Sequence, residues 1–190
     1  MAFLGMGKIS KLLIHQYLVI GLLLVLTAIR LLTGVWALNS DVIFWWIGTI
    51  VGFVFVFTDR FVYAFWQEKD EVLSMRLREL FGQGKLWEGL ATALRERKEQ
   101  ERLMMRSVLF LATWVFLAIF TWTSVGNPFG RGFMLGLGLH LAFDLGWDYF
   151  KKERDVRLWF WQIKRPFSDR EIRNVVWGFL AITGFLVLVL

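Results

Sequence analysis

Residues 130–150 read GRGFMLGLGLHLAFDLGWDYF. The stretch is apolar and long enough to cross a bilayer, which takes about 20 residues. Yet it carries Gly132, Gly136, His140, Asp144 and Asp148 at steps of four. In a helix such a step advances about 400°, so each residue sits about 40° round and about 6 Å along from the last. Gly132, Gly136 and His140 therefore share one face, and His140, Asp144 and Asp148 share a face that drifts away from it. The glycine pair permits close approach of another helix in lipid. Ionisable groups at membrane depth are expensive and turn towards protein or water. One stripe thus combines close packing at one end with polar chemistry at the other.

The stripe supports two readings. A His and an Asp one turn apart can reach one ion, with a second carboxylate to join or tune it, which makes His140 and Asp144 candidate divalent-metal ligands. The plainer reading is polar glue: Asp144 holds the His140 ring, and Asp148 lies at the water interface. The plainer reading is favoured, and no cofactor is expected.

Working outward, the chain of 190 residues is 57% hydrophobic and gathers that hydrophobicity in long runs, the mark of a membrane protein. Eleven Trp and nineteen Phe suit extensive interfacial and lipid-facing surface. The absence of cysteine excludes disulfides, thiolate metal sites and cysteine nucleophiles. The formal charge of +6 comes from basic residues flanking apolar runs, so it points to the membrane surface and not to nucleic acid.

The expected architecture is an all-α integral membrane protein, a single domain over 1–190 with five transmembrane helices at about 12–36, 42–66, 107–125, 129–150 and 170–190. The first run is too long for the apolar region of a signal peptide. Arg30 near its far end can snorkel beside Trp36, and His15 is placed at the near interface. Ser40 or Asp41 is the expected cap of the second helix. That helix carries another close-packing pair, Gly48 and Gly52, and late in its course Asp59 and Arg60. Asp59 is expected at the depth of Asp144, because the second and fourth helices run in the same direction.

Between the second and third spans, 67–106 is read as a cytoplasmic insertion, an amphipathic helical hairpin broken at Gly82-Gln83-Gly84. Its end, RERKEQER at 95–102, is mixed in sign and reads as a solvated helix end. Residues 151–170 form an aromatic and basic segment, read as an interfacial anchor around Leu158-Trp159-Phe160-Trp161. Ser168 and Glu171 fit a capping box for the last helix.

The long loops are basic and the short ones nearly uncharged. The positive-inside rule then places the N-terminus in the cytoplasm and the C-terminus outside, in a multi-pass protein of the cell (plasma or inner) membrane. His140, Asp144, Asp148, Asp59 and Arg60 then cluster in the cytoplasmic half.

The segment Gly136-x-x-x-His140-x-x-x-Asp144 resembles, over nine residues, a G-x-x-x-H-x-x-x-D helix of a family of inner-membrane metal-dependent hydrolases. That resemblance implies metal-assisted hydrolysis. The family's further histidines have no counterpart, His15 being the only other histidine, so Asp59 would have to supply a third ligand. A third class is a proton-coupled transport subunit relaying through Asp59, Asp144 and His140. The sequence favours a structural, assembly or partner-binding membrane protein over an enzyme. Its expected partners are the lipid bilayer, a protein docking on 67–106, and a second copy of the chain.

Overall fold

The computed structural model describes residues 3–34, 39–96, 100, 102–124, 126–152 and 154–190, with side chains from His15 onward except that of residue 94. Among them every regular element is helical. The expectations placed on Lys8, Lys11, Trp36, Val125 and half of the RERKEQER run fall outside the described residues or side chains.

Helix α1 spans Phe3–Leu32. Helix α2 spans Ser40–Phe55 and runs on without a break through a tight 3-10 turn (Val56–Thr58), a single α-turn α3 (Asp59–Val62) and a wide π-turn (Tyr63–Gln67). Helices α4 (Val72–Gly82) and α5 (Leu86–Arg95) follow as a hairpin, with Gly84 at φ +74 in the turn, a backbone conformation that favours glycine. Then come α6 (Val108–Ser124), α7 (Pro128–Lys151), a 3-10 turn (Val156–Phe160) and α8 (Asp169–Val189).

Three of these helices are long and apolar enough to cross a membrane: His15–Leu32, Ser40–Gln67 and Asp169–Val189. They mark a membrane protein. Helix α6 is apolar but has 17 residues. Helix α7 has the length, at 24 residues, but its glycines, His140 and charged residues dilute its hydropathy. Packing explains why it tolerates them. Helix α7 lies in the middle, against α2, α6 and α8, and is buried on most sides, so it presents little surface to lipid. The outer helices carry the apolar exterior, including Leu24, Ile47, Phe116 and Leu188.

The α2–α7 pair is built on glycine. A Cβ on Gly48 or Gly52 would collide with the carbonyls of Phe129 and Phe133, and one on Gly132 or Gly136 with those of Trp45 and Thr49. The two pairs interleave, so the parallel helices touch backbone to backbone. Trp114 of α6 lies over Gly138 and donates its indole N–H to the Met134 carbonyl at 3.0 Å.

The start signals are partly as expected. Ser168 and Glu171 form a reciprocal capping box on α8, and Asn127 with Pro128 opens α7. The cap of α2 is Asn39, not Ser40 or Asp41: its side chain accepts from the Asp41 amide at 3.0 Å, one residue earlier than expected. The aromatic segment after α7 also differs from expectation. Trp159 and Phe160 are buried in the main core and do not lie out among headgroups. Arg30 is buried as well, its guanidinium 5.0 Å over the Trp45 ring. A second, small core of Ala64, Leu73, Leu77 and Ala93, flanked by Phe65 and Phe81, seats the α4–α5 hairpin on the end of the long second helix.

Candidate functional site: a buried polar cluster around Arg106

Where the second helix, α6 and α7 reach the hairpin end of the bundle, Gln100 and residues 102–107 lie between them. Gln100 is buried and donates to the Ala93 carbonyl at 3.0 Å, while its own carbonyl accepts from Arg154 at 2.5 Å. The Leu103 carbonyl accepts from the Trp161 indole at 3.2 Å. The amides of Met104 and Met105 donate to the two carboxylate oxygens of Asp59 at 3.0 and 2.9 Å. Ser107 caps α6, accepting from the Phe110 amide at 3.2 Å. A segment that reads as the tail of a solvated run is therefore fixed at both ends.

Its last charged residue, Arg106, is buried. Its Nε and Nη2 both donate to Oδ2 of Asp144, at 2.8 and 2.5 Å. Burial alone would lower the guanidinium's affinity for its proton; Asp144 and then Asp59 more than offset this, so its pKa is raised and it stays charged. Asp59 and Asp144 thus face each other across a cation. Breaking such a pair by removing one partner costs about 3–5 kcal/mol, because a charge is left buried and uncompensated.

Asp148, one turn beyond Asp144, is buried too, where the sequence placed it at the water interface. Its Oδ2 accepts from the Trp159 indole at 3.0 Å. The 3-10 turn folds back over the end of α7 and covers it. Arg60 donates to the Ala93 carbonyl and lies 5.9 Å from the Phe57 ring, and so ties α5 to the second helix.

His140 sits one turn below Asp144. Its Nδ1 is 2.7 Å from the Phe53 carbonyl oxygen. A carbonyl can only accept, so Nδ1 carries the hydrogen and Nε2 is left facing Oδ2 of Asp144 at 3.3 Å. His15 also comes to this point. It is buried against the same ring, 4.6 Å between centroids and near perpendicular, and stacked 3.9 Å from Phe143. Helix α1 begins well before the apolar run, which carries His15 to the level of His140. One ligand atom each from His15, His140 and Asp144 lie within 4.8 Å of one another.

Of the residues singled out from sequence, Asp59 and Asp144 meet at Arg106, His140 adjoins Asp144, and Asp148 and Arg60 are engaged elsewhere. The four glycines hold α2 to α7 beneath them. Sequence reading missed Arg106, Trp159 and the place of His15. Arg106 had a signal: Leu103-Met104-Met105 separates it from the charged run, and two carboxylates expected at similar depth in apolar helices call for a cation. Comparison with family models, with curated proteins and with solved structures gives no match in any of the three.

Proposed function

We propose that this chain is a five-span membrane protein of structural or assembly type, in which the polar cluster clamps a cytoplasmic helical hairpin to the bundle and holds it out to a protein partner. Helix α6, at 17 residues and 1.5 Å each, is about 26 Å long, close to a thin hydrocarbon core. Helix α7 crosses inside the ring of apolar helices. The basic loops set the N-terminus and the hairpin on the cytoplasmic side and the C-terminus outside.

One observation carries the reading. The charges in the cluster are spent on joining segments: Asp144 on Arg106, Asp59 on the amides that lead into α6, Asp148 on the indole that closes the end of α7. A group satisfied in this way holds structure together. Leu86 and Trp87 at the start of α5 stay exposed, at 62% and 84%, as do Trp66 and Val72 around the start of the hairpin's first helix. Large apolar side chains held out on a seated hairpin are the raw material of an interface hot spot.

The test pairs a photo-crosslinking residue at Trp87 with a control at lipid-facing Phe116. A discrete protein adduct at 87 in cells, absent at 116 and lost on Leu86→Glu, supports docking. Adducts with lipid alone at both positions contradict it. The proton-transport alternative is separated by flux in proteoliposomes: Asp144→Asn that keeps its fold but abolishes proton uptake would replace this reading.

A further inference from the structure

We infer that His15, His140 and Asp144 form a binding site for one divalent transition-metal ion of the zinc type, which ties α1 to α7 inside the bundle.

Three observations converge. The first is the tautomer of His140. With the Nδ1 hydrogen committed to the Phe53 carbonyl, Nε2 presents a lone pair to a carboxylate oxygen 3.3 Å away. The same oxygen accepts from Arg106, which fixes the carboxylate beside the ring. A backbone carbonyl on the far nitrogen is also the usual device that orients a metal-binding imidazole. The second is the third donor. A proton between His140 and Asp144 needs only those two groups, yet His15 brings another imidazole to the same point, its ligand atom within 4.8 Å of both others. The separation of Nε2 and Oδ2 is already that of two ligands on a tetrahedral ion, where bonds of about 2.0–2.1 Å give an edge of about 3.3 Å.

The third is the chemistry of the donor set. Two imidazoles and one carboxylate suit zinc and its neighbours better than calcium or magnesium, which prefer all-oxygen sites. Phe53, Phe57 and Phe143 pack around the histidines and wall the site from lipid. Three protein ligands leave a fourth position for water or another small donor.

The experiment uses the full chain, purified in detergent, equilibrated with zinc and dialysed free of excess. Elemental mass spectrometry should find about one zinc per chain. His15→Phe keeps the stacking on Phe143 and removes the ligand, and it should retain at least tenfold less metal while giving the parent's helical circular dichroism and elution volume. A chelator should lower the melting temperature of the parent and not of His15→Phe. Less than about 0.1 metal per chain in the parent would overturn the site, as would equal retention by a folded His15→Phe. Should that variant not fold, the parent loaded with cobalt(II) decides: the intense visible bands of a tetrahedral ion uphold the site, and a spectrum no different from free cobalt overturns it.

Discussion

Replacing Gly136 by alanine adds one methyl group, and the structure says where it goes. It lands on the carbonyl of Thr49 and against the Phe53 amide, both backbone of α2. No rotamer change can clear a backbone, so α2 and α7 must move apart. The displacement lengthens the His140 contact with the Phe53 carbonyl and loosens the layer that holds Gly48, Gly52 and Gly132. Overpacking of this sort costs about 1–3 kcal/mol, and the rigid neighbour places Gly136→Ala at the upper end. The control is Gly146→Ala on the same helix. Its Cβ would meet nothing nearer than the Leu180 side chain at 3.9 Å. Alanine there gains roughly 1 kcal/mol of helix propensity and lowers nothing. Thermal unfolding in detergent, followed by tryptophan fluorescence, should place the two variants on opposite sides of the parent. At roughly 2–4 °C per kcal/mol for a chain of this size, Gly136→Ala should melt roughly 5–10 °C lower. Gly52→Ala added to it should cost less than it does alone, because the helices have already parted. If Gly136→Ala and Gly146→Ala melt together, the backbone-to-backbone packing is wrong.

Trp159→Phe keeps the ring in the core but strips Asp148 of its indole donor, and should cost about 1–3 kcal/mol; a urea titration showing less than about 0.5 would mean that Asp148 reaches water. Asp59→Asn removes the charge beside Arg106 and one of two matched acceptors for the Met104 and Met105 amides, so amide hydrogen exchange across 103–107 should accelerate; unchanged protection there would dissociate Asp59 from the linker. The chain has no cysteine, so single cysteines report topology cleanly: one at Glu79 should react with an impermeant thiol reagent only from the cytoplasmic side, and one at Asn127 only from outside. Labelling of both from one side would reject the five-span threading.

The helical plan was legible because apolar runs and their punctuation are local. Gly48, Gly52, Gly132 and Gly136 could be read as packing surfaces from spacing alone, although nothing in the spacing said that the two pairs meet each other. The polar cluster was legible in its anions and not in its cation. Asp59, Asp144 and His140 stand out against apolar neighbours, whereas Arg106 hides at the end of a charged run and is drawn inward only by the carboxylates it finds there. Trp159 looked like a headgroup anchor because a tryptophan beside arginines usually is one. Its indole N–H instead answers the buried carboxylate of Asp148. His15 was not read beside His140 for a different reason: hydropathy locates the apolar run, while the helix itself starts earlier, at Phe3.

The clamp at the heart of this account is tested most directly by a double-mutant cycle on Arg106 and Asp144, with unfolding free energies measured for Arg106→Met, Asp144→Leu and the pair. Each single change should cost about 3–5 kcal/mol, because it leaves the other charge buried and unanswered, and the double variant should be more stable than either single. Single variants within about 0.5 kcal/mol of the parent, or costs that simply add in the double, would show that Arg106 and Asp144 do not hold the hairpin to the bundle.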